Sequence, residues 1–242
     1  MSRFQGRRVA VTGAAGGIGS AIVARLVDEG AEVIALDRRT PEALPDGAVG
    51  VELDLTSPEA VADVVRDLYA GDDRPVHLVN SAGIVEDDVP AVDMPIEQWD
   101  AVLGVNLRGT FITCQAFGRE LIARGGGAIV NIASMSGNAV VNAPQRQAAY
   151  NTSKAGVSAL TRSLAVEWSP LGVRINALSP GYVGTPLNAL KAHMHETWKQ
   201  GVVTRRFATP EEVAASVAFL LSDEADYYVG AELLMDGGYS LR

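Results

Sequence analysis

Short apolar runs, many of them rich in β-branched residues, alternate along this chain with longer helical patterns. The apolar runs predict strands at residues 8–12, 32–37, 49–53, 76–80, 128–132, 173–178 and 232–235. The segments between them predict helices at residues 17–28, 58–69, 99–123, 148–168 and 210–221, with Ser57 and Thr209 as expected caps. Because strands without polar alternation are buried on both faces, the pattern predicts a parallel sheet covered by helices on both sides.

Composition limits the class of protein and its partners. Hydrophobic residues make up 48% of the 242 residues and charged residues 20%, which is typical of a globular domain. Nothing marks an internal boundary, so residues 1–242 are expected to form a single domain. The net charge of −9 argues against a general phosphate-binding surface, so we expect no nucleic-acid partner. No apolar run reaches the ~18 residues of a membrane span, and no secretory signal pattern is present, so no membrane partner is expected.

Cysteine and histidine usage argues against a metal site. Cys114 is the only cysteine, which excludes an intramolecular disulfide and a cysteine-based metal cluster. We interpret Cys114 as a small core residue and expect a reducing, cytoplasmic location. His193 and His195 are two residues apart, so on a helix they face different directions.

A glycine-rich segment, Thr12-Gly13-Ala14-Ala15-Gly16-Gly17-Ile18-Gly19, follows the first predicted strand and opens the first helix. Glycines allow a tight turn and let backbone N–H groups approach a pyrophosphate, which the helix N-terminus stabilises. The spacing is Gly-x-x-x-Gly-x-Gly rather than Gly-x-Gly-x-x-Gly, and a plain glycine-rich turn is the alternative interpretation.

Two acidic residues at strand ends suit an adenosine. Asp37 ends the second predicted strand, where a carboxylate accepts hydrogen bonds from a ribose and repels a 2′-phosphate, so NAD is favoured over NADP. Arg38 and Arg39 follow directly and are able to accept a phosphate. Asp54 ends the third predicted strand and is expected at the adenine edge beside Leu55; a turn or capping aspartate is the alternative.

Tyr150 and Lys154 are four residues apart in a predicted helix, so their side chains share one face. A phenol ionises near pH ~10, and a nearby ammonium group lowers that pKa by favouring the phenolate. The pair is therefore a candidate proton donor and acceptor near neutral pH. The spacing alone also fits an ordinary helix surface; the glycine-rich segment favours the catalytic interpretation.

Taken together, these motifs resemble the short-chain dehydrogenase/reductase family along nearly the whole chain. The matching positions are Thr12-Gly13, Gly17, Gly19, Asn80-Ser81-Ala82-Gly83, Asn106, Ser134, Tyr150, Lys154 and Pro180-Gly181. The resemblance implies a single Rossmann-type, doubly wound α/β domain of about seven strands and a nicotinamide cofactor. There are two departures: Ser81 replaces the second asparagine of the usual Asn-Asn-Ala-Gly, and the segment from Ser134 to Tyr150 is a few residues longer than in many members.

The resemblance also implies roles for individual residues. Tyr150 takes the proton from a secondary alcohol or gives it to a ketone, and Lys154 lowers the tyrosine pKa and holds the nicotinamide ribose. Ser134 hydrogen-bonds the reacting oxygen, with Ser136 as a rival, and Asn106 positions a water that relays the proton. The expected cofactor contacts are Gly13, Gly17, Ile18, Gly19, Asp37, Asp54, Leu55, Asn80, Ala82, Gly83, Tyr150, Lys154, Pro180, Gly181, Val183 and Thr185.

The predicted substrate wall, residues 138–147, is rich in side-chain amides, which suit hydroxyl-rich ligands because each amide is both donor and acceptor. It is similar to the wall of family members that act on sugar alcohols and ketoses. Asn142, Gln145 and Gln147 are the candidate hydroxyl contacts, each with an ordinary loop role as the alternative. Residues 185–206 are expected to form a substrate lid, in which Trp198 is expected to pack, with covering the pocket as the alternative role.

The leading functional prediction is an NAD-dependent dehydrogenase of a polyol or similar secondary alcohol. The alternative enzyme is an NAD(P)H-dependent reductase of small ketones or 3-oxoacyl substrates, and the alternative from another class is a non-catalytic NAD-binding sensor. The resemblance also implies a homotetramer built from the helices at residues 99–123 and 148–168 and the C-terminal segment.

Overall fold

Within residues 2–41, 43–142, 144–189 and 191–242, which the computed structural model describes, seven strands form one parallel sheet. The strands are β1 (Arg8–Thr12), β2 (Glu32–Asp37), β3 (Ala48–Glu52), β4 (Val76–Asn80), β5 (Gly127–Ile132), β6 (Val173–Pro180) and β7 (Glu232–Met235). Their order across the sheet is β3-β2-β1-β4-β5-β6-β7. The predicted fold class is confirmed, although β3 lies one residue earlier than predicted and β6 extends further.

Helices connect the strands and cover the sheet. The α-helices are α1 (Gly17–Asp28), α2 (Pro58–Leu68), α3 (Ile96–Leu103), α4 (Thr110–Ala123), α5 (Met135–Asn138), α6 (Ala148–Trp168), α7 (Pro186–Ala189), α8 (His195–Gly201) and α9 (Pro210–Leu221). Short 3₁₀ turns occur at Ala91–Asp93, Ser169–Leu171, Ala192–Met194, Asp223–Ala225 and Tyr239–Leu241. No helix in the described part of the chain is both long and apolar enough to cross a membrane.

Both predicted helix caps are present. The Ser57 hydroxyl accepts a hydrogen bond from the Ala60 amide at 3.2 Å at the start of α2. At the start of α9, Thr209 accepts from the Glu212 amide at 3.3 Å, and the Glu212 carboxylate accepts from the Thr209 amide at 2.9 Å. These bonds satisfy backbone donors that have no partner within the helix, so they fix where each helix begins.

The two faces of the sheet bury separate apolar cores. Successive side chains of a strand point to opposite faces, so Val9 and Val11 pack with α1 and α9, whereas Ala10 belongs to the core beneath α2, α4 and α6. Apolar residues at every strand position are therefore needed, which explains the continuous apolar runs.

The helix predicted at residues 99–123 is interrupted. It begins earlier, at Ile96, and a π-helical turn, Gly104–Gly109, separates α3 from α4. The Thr110 hydroxyl donates to the Asn106 carbonyl at 2.7 Å, and the Thr113 hydroxyl donates to the Gly109 carbonyl at 3.0 Å. Side-chain bonds of this kind compete with the regular backbone ladder. The extra residue in the turn directs Asn106 into the protein interior, where it is fully buried.

The strand order reverses direction between β1 and β4, so the loops that follow these two strands part at this point of the sheet. Such a switch point opens a crevice beyond the carboxyl ends of the strands, where open α/β sheets bind their ligands. The Thr12 hydroxyl at the end of β1 accepts hydrogen bonds from the amides of Ser81 and Ala82, at 3.1 and 3.2 Å. This contact holds the two loops together beneath the crevice.

Candidate functional site

The glycine-rich loop between β1 and α1 passes very close to its neighbours. Gly13 has a φ of +68°, and a Cβ there would lie 2.6 Å from the Ala82 Cα atom. A Cβ on Gly19 would lie 2.0 Å from the Gly13 carbonyl oxygen. The residue that precedes α1, Gly16, makes no side-chain cap, so the first amides of this 12-residue helix keep donors for a ligand. The loop therefore fits the pyrophosphate of a dinucleotide.

One cavity lies beside this loop, on the side where the sequence predicts the adenosine. It is lined by Gly13, Gly16, Asp37, Arg38, Leu53, Asp54, Leu55, Thr56, Ser81, Ala82, Gly83, Ile84 and Val105. The structure thus brings together Asp37, Asp54, Leu55, Ala82 and Gly83, five of the residues expected to contact the cofactor.

Hydrogen bonds hold the carboxylates of the two aspartates of this cavity in place. The Asp37 carboxylate accepts from the Ala15 amide of the glycine-rich loop at 3.0 Å. Asp54 accepts from the amide and the hydroxyl of Thr56, at 2.8 and 2.7 Å, and these bonds hold its pKa below the usual range. Asp54 is therefore a turn aspartate that also lines the cavity. Arg39, by contrast, lines a neighbouring hollow, beside Ser20 and Thr40.

Asn80 lies beneath the crevice rather than in the lining of either cavity described here. Its amide donates to Asn131 at 2.9 Å and to the Cys114 sulfur at 3.3 Å, and its carbonyl accepts from Thr113 at 2.7 Å. Asn131 in turn donates to Thr161 at 3.0 Å. These buried bonds join β4, β5, α4 and α6. Burial also raises the pKa of the Cys114 thiol to about 12.

A second cavity lies on the other side of the glycine-rich loop, which contributes Ile18 to it. Its lining contains most of the predicted catalytic, nicotinamide and substrate residues: Ser134, Ser136, Asn142, Gln145, Gln147, Tyr150, Pro180, Gly181, Val183 and Thr185. Side chains from β5, α6, β6 and the segment after β6 therefore converge on one place.

Ser134 and Tyr150 face each other across this cavity. Ser134 follows β5 and is buried, and its hydroxyl accepts from the Ser136 amide at 3.2 Å. Burial raises the pKa of the half-buried Tyr150, and a hydrogen bond from the Ser134 hydroxyl offsets only part of that rise. The sequence predicted a lowered tyrosine pKa, so here the direction is the opposite.

The position of Lys154 explains that difference. Its ammonium group donates to the Ile132 carbonyl at 2.7 Å and lies 5.8 Å from the centre of the Tyr150 ring. At that position desolvation of the phenol outweighs attraction by the ammonium group. Lys154 is itself buried, and burial lowers its pKa to about 8, close enough to neutral pH for it to exchange a proton.

The side chain of Asn106 holds the loop that follows β4. Its carbonyl accepts from the Ile84 amide at 2.8 Å, and its amide donates to the Ile84 carbonyl at 2.9 Å and to the Ser153 hydroxyl at 3.0 Å. A Cβ on Gly83 would lie 3.4 Å from both the Asn106 side-chain oxygen and the Lys154 ammonium nitrogen. The π-helical turn thus brings Asn106 and Lys154 to the same stretch of backbone.

The substrate wall is tied to the segment after β6. The Tyr182 hydroxyl donates to Gln145 at 2.7 Å, and the Asn142 amide approaches Tyr182 at 3.5 Å. Tyr182 also stacks on Trp198, with ring centres 4.5 Å apart, and Trp198 is 1% exposed. Trp198 therefore packs, as predicted. Ala143 of the wall and Leu190 of the predicted lid lie outside the described residues.

The predicted lid, residues 185–206, contains α7 and α8 and reaches the cavity through Thr185, Leu187, Asn188 and Lys191. His195 is bonded to the Asn188 carbonyl at 3.0 Å. Among the residues that the structure describes, no group of three histidine, cysteine, aspartate or glutamate side chains is arranged to hold a metal ion.

Comparisons with known proteins identify the family. A family model described as enoyl-(acyl carrier protein) reductase matches residues 13–240. Galactitol 2-dehydrogenase (L-tagatose-forming) of Cereibacter sphaeroides is 41% identical over 249 residues, which cover 99% of this chain and 97% of the relative. NAD-dependent glycerol dehydrogenase of Listeria innocua is 38% identical over 240 residues, which cover 96% and 93%.

A solved structure agrees with the sequence relatives. The short-chain type dehydrogenase/reductase from Mycobacterium marinum has a TM-score of 0.89 and 33% identity, and the match covers 99% of this chain and 97% of that chain. The chain belongs to the short-chain dehydrogenase/reductase family. The resemblance found in the sequence is thereby confirmed, and this short-chain dehydrogenase/reductase is an oxidoreductase of the NAD(P)-binding type.

Sequence reasoning for this short-chain dehydrogenase/reductase missed Tyr182 and Lys191, which line the cavity, and Glu86, which accepts a hydrogen bond from the Tyr150 amide. Tyr182 follows Pro180-Gly181 directly, so its position was the available signal. Lys191 lies in the predicted lid, where no motif marks it. Glu86 is an acidic residue in a loop, yet only 2% of it is exposed. Its burial depends on the packing of distant elements and has no local signal.

Proposed function

We propose that this protein is an NAD-dependent dehydrogenase that oxidises a polyol or sugar alcohol to the corresponding ketose. The observation that carries the proposal is a pair of unpaired polar groups in the cavity around Tyr150. The Asn142 side-chain oxygen and the Lys191 ammonium group are buried and have no hydrogen-bond partner among the described residues. An acceptor and a strong donor left unpaired in one cavity favour a substrate with several hydroxyl groups. The relatives named for galactitol and glycerol belong to the same substrate class.

In the proposed reaction Ser134 hydrogen-bonds the substrate oxygen and stabilises the negative charge that develops on it. Tyr150 accepts the hydroxyl proton while the C–H hydrogen leaves with its electron pair, so the alcohol becomes a ketone. NAD would supply the acceptor for that hydride and a positive charge on its nicotinamide ring. For the reverse reaction Tyr150 donates the proton. Ser136 is the rival for the serine role, because it lines the same cavity.

Lys154 and Asn106 are proposed to connect Tyr150 with solvent. Lys154 is the next group able to exchange a proton, because burial lowers its pKa to about 8. In the proposal it also binds the nicotinamide ribose. Asn106 secures the backbone beside Lys154 and orders the water that carries the proton onward.

The preference for NAD over NADP rests on Asp37. Its carboxylate is fixed at 3.0 Å from the Ala15 amide and lines the adenosine-side cavity, where a negative charge repels a 2′-phosphate. Arg38 lines the same cavity, and the attraction of its positive charge for a 2′-phosphate competes with that repulsion. The Listeria innocua relative is named as NAD-dependent.

Nicotinamide absorbance with a panel of four- to six-carbon polyols, run with NAD and separately with NADP, tests the function. Turnover of a polyol with NAD supports it. NADPH-driven reduction of keto esters without polyol oxidation would establish the alternative reductase instead. In parallel, Tyr150→Phe should lose turnover while retaining NADH binding. A Tyr150→Phe variant as active as the parent would contradict the role of Tyr150. If the parent binds NAD but turns over no substrate, the non-catalytic sensor is favoured.

The proposal includes a cytoplasmic homotetramer. Exposed apolar side chains on the two helices implied by the family support it: Phe111 on α4 is 40% exposed and Val166 on α6 is 78% exposed. Light scattering on the purified protein measures the assembly directly. A monomer that turns over polyols would remove the tetramer from the proposal and leave the chemistry intact.

A further inference from the structure

Glu86 contacts the backbone of the proposed catalytic tyrosine. It lies in the loop after β4, and its carboxylate accepts a hydrogen bond from the Ala149 amide at 2.9 Å. Both carboxylate oxygens also accept from the Tyr150 amide, at 3.2 and 3.1 Å. These amides belong to the first turn of α6, the 21-residue helix that carries Tyr150 and Lys154. A residue from a distant loop therefore caps this helix.

The capping role is specific to Glu86. Gln147, which precedes α6, makes no side-chain hydrogen bond to the helix, and the first turn of α6 contains no acidic residue. Glu86 is 2% exposed and forms no ion pair within the described part of the chain. A buried carboxylate is costly unless donors compensate it. Here the donors are two backbone amides and the positive end of the helix dipole.

We propose that Glu86 is a positioning residue for the dehydrogenase reaction, which fixes the first turn of α6 and sets the pH range in which Tyr150 accepts a proton. The inference rests on the proposed function. The negative charge of Glu86 disfavours a phenolate on the adjacent side chain and so raises the pKa of Tyr150, in addition to the larger effect of burial. An anionic cap thus keeps the phenol protonated until higher pH than packing alone requires.

Other charged groups lie near Tyr150, and one acidic residue of the same loop serves as a control for Glu86. Lys154 faces it from the same helix, at 5.8 Å from the ring centre. Lys191 lines the same cavity from the lid, and the residues contributed by the end of β5 and by α5 to the lining are uncharged. Asp88, in the same loop as Glu86, is exposed and accepts from the Arg146 amide at 3.3 Å. Asp88 is therefore a matched acidic control that does not touch α6.

The experiment compares Glu86→Gln, Glu86→Asp and Asp88→Asn with the parent in the pH dependence of kcat/KM for polyol oxidation. Glutamine keeps an acceptor for the amides but removes the charge. The acidic limb of the kcat/KM profile should therefore move to lower pH by about 0.5 unit. Below that limb kcat/KM should be roughly threefold higher than in the parent. Aspartate keeps the charge on a shorter side chain, so kcat should fall while the limb stays in place. Asp88→Asn should leave both unchanged.

An acidic limb in Glu86→Gln that coincides with the limb of the parent or moves no further than that of Asp88→Asn overturns the inference. If Glu86→Gln does not fold, Glu86→Asp decides. An acidic limb of Glu86→Asp that is displaced from that of the parent counts against the proposal. An acidic limb at the parental pH together with a lowered kcat supports it.

A second readout separates this inference from the proposed function. Titration of the phenolate ultraviolet absorbance, with Tyr150→Phe as the blank, measures the ionisation of Tyr150 without any substrate. Should the parent oxidise no polyol, the proposed function fails and this titration alone decides. A lower midpoint in Glu86→Gln then supports the role of Glu86, and an equal midpoint overturns it.

Discussion

Replacing Lys154 with methionine should stabilise the fold near neutral pH while abolishing turnover. Lys154 is 4% exposed, and burial lowers its pKa from 10.5 to about 8. That shift corresponds to roughly 3 kcal/mol against the charged side chain in the folded protein. Methionine removes this cost but leaves the Ile132 carbonyl without its 2.7 Å hydrogen bond, which costs about 1–3 kcal/mol. We therefore expect a net gain of about 1 kcal/mol at pH ~7.

The gain should reverse as the pH rises. Below pH 8 the Lys154 side chain is charged in both the folded and the unfolded chain, so the full cost of burial is present. Above that pH the folded chain releases its proton first, so the unfolded chain binds more protons and the parent becomes more stable. Near pH ~9.5 the remaining cost is about 1 kcal/mol by the same relation, and the methionine variant should then be the less stable protein.

Urea unfolding at pH ~7 and pH ~9.5 measures this difference, and a gain of 1 kcal/mol corresponds to about 2–4 °C in Tm for a chain of this size. Lys199→Met is the matched control, because the Lys199 side chain is 40% exposed and its replacement removes no buried charge. Equal effects of Lys154→Met at the two pH values would refute the reasoning.

Three further predictions concern ligand binding. Asp37→Ser should raise kcat/KM for NADP at least about tenfold by removing like-charge repulsion, and unchanged cofactor preference in steady-state kinetics would contradict this. Gly19→Ala should weaken NADH binding about tenfold or more, measured by fluorescence titration, because its Cβ would lie 2.0 Å from the Gly13 oxygen. Tyr182→Phe removes the donor to Gln145 and should raise KM for the polyol several-fold with little change in kcat; a change confined to kcat would argue against a substrate-wall role.

The fold and much of the site could be predicted because their signals are local. Continuous apolar runs mark buried parallel strands, and the glycine-rich segment lies where β1 passes into α1. Tyr150 and Lys154 share a helix face because helical geometry dictates it. Since strand ends of a parallel sheet meet at one edge, Ser134 at the end of β5 was also expected near them.

The remaining features depend on distances between elements that the sequence does not state. The π-helical turn around Asn106 depends on side-chain hydrogen bonds from α4 to the turn and on the hydrogen bond from Asn106 to Ser153 of α6. The direction of the Tyr150 pKa shift depends on how deeply the phenol is buried and on where the Lys154 ammonium group points. Glu86 reaches α6 from 64 residues away along the chain, so no local pattern reveals it.

The single thiol of this protein offers a way to observe its unfolding without a label. Cys114 is fully buried between α4 and the sheet, where Asn80 and Asn131 contact its sulfur, and burial keeps it protonated. A thiol reagent reacts with the thiolate, so modification requires the sheet and α4 to separate. The rate of modification therefore reports how often the centre of the molecule opens. The same burial of the thiol should protect the folded protein from mild oxidants.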